Sequence, residues 1–175
     1  MKKFFINLNA FIKSLTSKTH TKLGKFLIEN KLQAATAESC TGGLLSSRLT
    51  DVPGSSAYIM ENFVTYSYDS KEEILGVKHE TLINHGAVSH ECAYEMAEGL
   101  IKRTNCDLAI CTTGIAGPTV DEGKPSGLIF ISTAYKGKIT VKEYHLNPLL
   151  NRKNMKFMFT EHALEQAYKS LNRFE

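Results

Sequence analysis

Two runs with little polar alternation, each opening into a glycine-containing turn, constrain this 175-residue chain more than any other feature. Leu108 to Thr112 feeds Thr113-Gly114-Ile115-Ala116-Gly117-Pro118, and Leu32 to Ala37 feeds Glu38-Ser39-Cys40-Thr41-Gly42-Gly43. A strand without polar alternation is covered on both faces, and helices packed on both sides of a sheet supply that cover. The intervening patterns provide the helices. Leu23, Phe26 and Leu27 predict one over about 19–31, and a second runs from the first glycine turn to about Thr50. Asp51 to Ser56 is a loop by its Pro-Gly pair, and Phe63 to Ser67 has strand composition. Ser70 and Glu73 form a capping-box pattern that predicts a helix starting at Lys71, and Gly86 suits a helix end. Ser89 is placed to cap a longer helix carrying Ala93, Met96, Ala97, Leu100 and Ile101. Leu128–Tyr135 and Ile139–Leu146 flank Lys136-Gly137-Lys138 as a hairpin, and Met155, Met158, Phe159, Ala163 and Ala167 mark a last helix. The order of elements predicts an α/β fold, a single-domain three-layer sandwich with a central mixed β-sheet flanked by helices.

Charge is unevenly spread. Residues 1–28 hold Lys2, Lys3, Lys13, Lys18, Lys22 and Lys25 and no acid, whereas the other 147 hold fifteen basic and eighteen acidic residues. The formal +3 therefore belongs to the amino-terminal segment, and a mildly acidic remainder argues against a nucleic-acid partner. We divide the chain into a basic apolar leader, 1–18, and a domain over 19–175. The leader is a poor secretory signal, because Asn7 and Asn9 interrupt its apolar run and Lys13 ends it. No stretch reaches the roughly 18 apolar residues of a membrane span, so the expectation is a cytoplasmic protein without stable membrane insertion. Phe4, Phe5, Leu8, Phe11, Ile12 and Leu15 recur at helical spacing, which suits an interfacial segment or, more simply, a helix packed on the body or on a neighbouring subunit. Cys40, Cys92, Cys106 and Cys111 form no C-x-x-C pair, and His79, His85 and His90 lack the i, i+4 spacing of helical zinc ligands. Neither a metal nor a cofactor is expected.

Three polar loops, 38–43, 53–56 and 113–118, qualify as candidate sites, since ligands of α/β sheets collect in loops at strand ends. Neither glycine turn matches the phosphate-loop or dinucleotide fingerprint. Lys71 gains interest beside Ser56 and Tyr66. A serine hydroxyl needs a base, and lysine serves as one only if its pKa falls from about 10.4 toward neutrality, by burial or a neighbouring cation. Taken alone, each of the three residues reads as ordinary: a solvated helix lysine, a half-buried aromatic and a turn serine.

Thr36-Ala37-Glu38-Ser39-Cys40-Thr41-Gly42-Gly43, Gly54-Ser55-Ser56, Val64-Thr65-Tyr66-Ser67 with Lys71, Leu75-Gly76-Val77, His85-Gly86-Ala87-Val88-Ser89 and Thr113 to Pro118 together resemble the CinA C-terminal domain family over about residues 20–171. The resemblance implies a nicotinamide-mononucleotide deamidase, forming nicotinic acid mononucleotide and ammonia. It implies a nucleophile at Ser56, a Tyr66/Lys71 proton relay and an oxyanion-stabilising Thr113. Gly114 and Gly117 would line the substrate, with Arg152 as the phosphate anchor. Glu38, Ser39, Thr41 and Gly42 would border the pocket, with Glu38 meeting the ribose or orienting a catalytic group. Ser39 and Ser55 stay open as alternative nucleophiles. The segment 119–127 lacks a Gly-Gly that relatives often carry before Lys-Pro, and Asn151-Arg152-Lys153 replaces a common Asp-Arg. The expected partners are a small-molecule nucleotide and a second copy of the chain, in a homodimer or larger homo-oligomer.

The rival class is a non-catalytic nucleotide-binding or regulatory module that retains the fold, and it is disfavoured because a binder needs neither nucleophile nor base. A membrane- or DNA-associated factor acting through the leader rests on charge alone.

Overall fold

A computed structural model describes residues 1–171. After α1 (Lys2–Thr16) and α2 (Thr19–Glu29), the chain runs through β1 (Ala34–Glu38), α3 (Leu44–Thr50), a single 3₁₀ turn at Ser55–Ala57 and β2 (Ile59–Val64). It continues through α4 (Tyr68–Leu75), α5 (His79–His85), α6 (His90–Thr104), β3 (Leu108–Gly114), β4 (Leu128–Tyr135), β5 (Lys138–His145) and α7 (Arg152–Leu171). The strands form one sheet in the order β2-β1-β3-β4-β5. β1 is parallel to both β2 and β3, while β3, β4 and β5 are antiparallel neighbours, so the sheet is mixed as the element order predicts.

Strand alternation divides the core. Ala34, Leu108, Ile110, Ile129 and Ile131 pack toward α2, α3 and α7. Ala35, Ala37, Ala109, Cys111 and Ala134 face the cluster formed with α4, α5 and α6. The second face is built of small side chains, which lets α6 lie close to the sheet. Gly99 on α6 extends this economy: a Cβ there would overlap the Leu75 carbonyl at the end of α4.

Two boundaries differ from expectation. The second strand begins at Ile59 rather than Phe63, since β1 pairing recruits residues 59–62, whose side chains are mostly exposed. The helix bearing Lys71 starts at Tyr68, because Ser67 and Ser70 form the reciprocal cap in place of Ser70 and Glu73. Lys71 therefore sits in the second turn, away from the free N–H groups of the helix end.

The leader is a helix and packs on α7. Asn7 Nδ2 donates to Leu149 O at 3.0 Å, and Asn7 Oδ1 accepts from the Asn151 N–H at 2.8 Å and from Asn154 Nδ2 at 3.0 Å. Lys13 pairs with Glu165 at 3.4 Å, and the Ser17 hydroxyl bonds the buried Glu161 carboxylate.

Candidate active site

The carboxyl ends of β1 and β3 lie side by side because the two strands are parallel and in register, Glu38 opposite Thr112. The loops leaving them, 39–43 and 115–118, therefore open at one edge of the sheet, with the β2–α4 connection beside them through the Glu38–Val64 pairing. Together with 119–122 and the start of α7 they enclose a cavity of about 160 Å³. Ser39, Tyr66, Thr113, Gly114, Gly117 and Arg152 line it.

Lys71 lies behind Ser39. Its side chain is fully buried, and Nζ is 2.7 Å from Thr65 O and 3.3 Å from Ser39 Oγ. Burial penalises the charged ammonium and lowers the lysine pKa from its ordinary value. No carboxylate forms an ion pair with it among the described residues. Cys40 and Cys92 work in the same environment with the opposite sign: loss of solvent pushes each thiol up to about 12 and keeps both protonated.

Ser56 is not in this cluster. It sits on the exposed 3₁₀ turn that precedes β2, and β2 runs parallel to β1, so this turn lies at the amino end of the sheet. The six residues of β2 separate it from the cavity, roughly 20 Å at a strand rise of about 3.3 Å per residue. Ser55 shares that position. Tyr66 lines the cavity, but its hydroxyl accepts from Arg152 Nη2 at 3.3 Å and stands on the exposed rim, outside the Ser39–Lys71 contact. Arg152 is further held by a 2.6 Å bond from Nη1 to Gly117 O. The Thr113 hydroxyl donates to Ala87 O at 2.6 Å, so its proton is committed away from the cavity. Among loop donors, the Ala116 and Gly117 N–H groups enter no protein hydrogen bond among the described residues, which leaves them for a ligand.

Three expected pocket residues face elsewhere. The buried Glu38 carboxylate accepts from the N–H groups of Leu45 at 3.0 Å and Ser46 at 2.8 Å and from the Ser46 hydroxyl, capping α3 from below. Thr41 is buried against Thr112, their hydroxyls 2.8 Å apart. Gly42 supplies a left-handed backbone, φ +58°, needed to turn the chain into α3.

Glu122 was not legible as a site residue. Its carboxylate accepts from the Tyr68 hydroxyl at 2.7 Å, from the N–H groups of Ala87 at 2.9 Å and Val88 at 3.2 Å, and from Lys124 Nζ at 3.2 Å. Burial acts to raise its pKa, but these donors outweigh it and hold the carboxyl below its ordinary value. Glu122 thereby staples the 119–124 loop over the α5–α6 junction and closes one wall of the cavity. Only its place in a polar loop of unusual length marked it in the sequence. No group of three or more His, Cys, Asp or Glu side chains among the described residues is arranged to hold a metal ion.

The fold and cavity define an α/β sandwich with a serine and a buried lysine in contact where parallel strands end, beside an arginine anchored at the rim. The CinA C-terminal domain family model matches residues 16–171, and the chain belongs to that family. It is 47% identical over 150 residues to a CinA-like protein of Chlorobium limicola, covering 83% of this chain and 35% of that one. It is 50% identical over 127 residues to a putative competence-damage inducible protein of Clostridium novyi, covering 71% of this chain and 30% of that one. The chain thus spans about a third of the length of these curated relatives. Among solved structures, the competence damage-inducible protein A of Klebsiella pneumoniae superposes with a TM-score of 0.86 at 29% identity, covering 90% and 98% of the two chains. The competence/damage inducible protein CihA of Agrobacterium tumefaciens gives 0.83 at 36% identity, covering 89% of this chain and 94% of its own.

Proposed function

We propose that the chain is a cofactor-independent amidohydrolase that converts nicotinamide mononucleotide to nicotinic acid mononucleotide and ammonia, with Ser39 as the nucleophile. The observation that carries this reading is the 3.3 Å approach of the buried Lys71 Nζ to Ser39 Oγ at the back of the cavity. A neutral amine at that place accepts the hydroxyl proton as Ser39 Oγ attacks the carboxamide carbon, and the lowered lysine pKa supplies the neutral form nearer physiological pH. The ring-nitrogen cation of the substrate makes that carbon electron-poor. The tetrahedral oxyanion meets the free N–H groups of Ala116 and Gly117, and a well-placed donor of this kind contributes about 3–4 kcal/mol. Lys71 then returns its proton to the departing amine, ammonia leaves, and water hydrolyses the acyl-serine by the same base. Arg152, oriented by Gly117 O and Tyr66, offers its guanidinium to the phosphate, with Tyr66 as the positioning partner rather than a proton relay. The hydroxyl of Thr113 orients the wall through Ala87.

Ammonia release from nicotinamide mononucleotide tests the reading. Wild type should turn over, Ser39→Ala and Lys71→Ala should fall by three orders of magnitude or more, and Ser56→Ala should stay within about twofold. Loss of turnover in Ser56→Ala with retention in Ser39→Ala would sink the assignment, and so would a wild type that binds the nucleotide without releasing ammonia.

A further inference from the structure

The α1 helix is docked the wrong way round for a helix that ends its amphipathic story in the core. Its polar side carries the bonds to the body, through Asn7, Lys13 and, just beyond its end, Ser17. Its one buried residue is Ala10. The apolar stripe points outward: Phe4 is 66% exposed, Phe11 50% and Leu15 71%, with Phe5, Leu8 and Ile12 between them also exposed. Rotating the helix to hide the stripe would break the Asn7 bonds to Leu149, Asn151 and Asn154, so the apolar face is held away from the protein. Lys2 and Lys3 lie on α1 itself, Lys18 in the turn after it and Lys22 and Lys25 on α2, all exposed and without an ion pair among the described residues. No acid precedes Glu29.

We propose that α1 is a reversible membrane-surface anchor that lays this stripe into the interfacial region of a bilayer rich in anionic lipid. Aromatic and aliphatic side chains on one face with lysines on the flanks and in the adjoining turn match what such a surface offers, apolar acyl chains just beneath negative headgroups. A second copy of the chain is the poorer occupant, because stripe-to-stripe contact would bring together two lysine-rich, acid-free segments. The helix lies on the bilayer rather than across it, since no helix among the described residues is long and apolar enough to span.

Co-sedimentation of the full chain with vesicles tests this. Vesicles of phosphatidylcholine with about one-third phosphatidylserine should carry the protein down, pure phosphatidylcholine should not, and added salt should release it. Each lysine removed costs roughly fivefold in partitioning, so Lys2→Gln with Lys3→Gln should weaken binding by about an order of magnitude or more. Phe4→Ser, Phe5→Ser and Leu15→Ser together should abolish it while leaving the thermal melt unchanged, because these side chains touch little of the body. No sedimentation with anionic vesicles would overturn the proposal. So would equal, salt-insensitive binding to neutral vesicles, or a dimer in sedimentation velocity that the same triple variant dissociates.

Discussion

Replacing Lys71 with methionine removes a charge-bearing nitrogen from a fully buried position, and its signature is a pH slope. Burial depresses the lysine pKa in the folded chain below its unfolded value of about 10.4, so between the two the unfolded state binds more protons than the folded one. Wild-type stability therefore rises with pH across that window, by about 1.4 kcal/mol per pH unit, and the cost of burying the ammonium is felt in full only below the folded pKa. Methionine has no such dependence. A second, pH-independent effect opposes the relief: Thr65 O loses its 2.7 Å bond, and an orphaned buried acceptor costs about 1–3 kcal/mol. The absolute stability difference at pH 7 is the balance of the two and decides nothing, whereas the slope isolates Lys71, because every other titrating group is common to both proteins. Urea unfolding of wild type and Lys71→Met at several values from pH 6 to 10 measures it. The wild type should gain on the variant as pH rises, while kcat/KM of the wild type climbs over the same range and the variant stays inactive. Parallel stability curves would mean that Lys71 titrates in the folded chain as it does in water. The proposed base would then lose its physical ground, however close it stands to Ser39.

Glu122→Gln keeps the shape of the loop staple but weakens its charge-assisted bonds to Tyr68, Ala87 and Val88, and urea titration at pH 7 should show a loss of about 1–2 kcal/mol. Because the Glu122 pKa is depressed in the folded chain, its contribution is complete above the unfolded carboxyl value and is lost as pH falls through the folded one, so wild type and variant should converge in acid. Gly99→Ala should destabilise by about 1–3 kcal/mol in thermal melts, since its Cβ meets the Leu75 carbonyl and must push α4 from α6. Arg152→Lys should raise KM for nicotinamide mononucleotide about tenfold or more with little change in kcat, because an ammonium replaces the planar fork that Gly117 O and Tyr66 hold in place; an unchanged KM would remove Arg152 from phosphate binding.

Ser39, Tyr66, Thr113, Gly114, Gly117 and Arg152, all singled out in the sequence, line one cavity, whereas Ser56 lies apart from them. The segments 38–43 and 113–118 both follow strands, whereas 53–56 precedes one, and in a parallel pair only loops on the same side of their strands share an edge of the sheet. Gly54-Ser55-Ser56 is a turn whose left-handed Gly54 leads the chain into β2 at the far end. Lys71 lies on a helix that begins three residues earlier than the capping-box pattern predicts, and of the two causes that lower a lysine pKa the structure supplies burial.

Apolar patterning in the sequence was enough to determine a mixed sheet covered by helices, because buried strands and amphipathic helices write their periods locally. The basic, acid-free leader was equally plain. Strand direction and register decided the rest. They placed Ser39 against Lys71, turned Glu38 and Thr41 into supports for α3 and β3, brought Glu122 from a distant loop onto Tyr68, and fixed α1 by its polar face with its apolar stripe outward. Each of these joins residues far apart in the chain, and which of many possible partners a side chain meets is settled only when the sheet order closes.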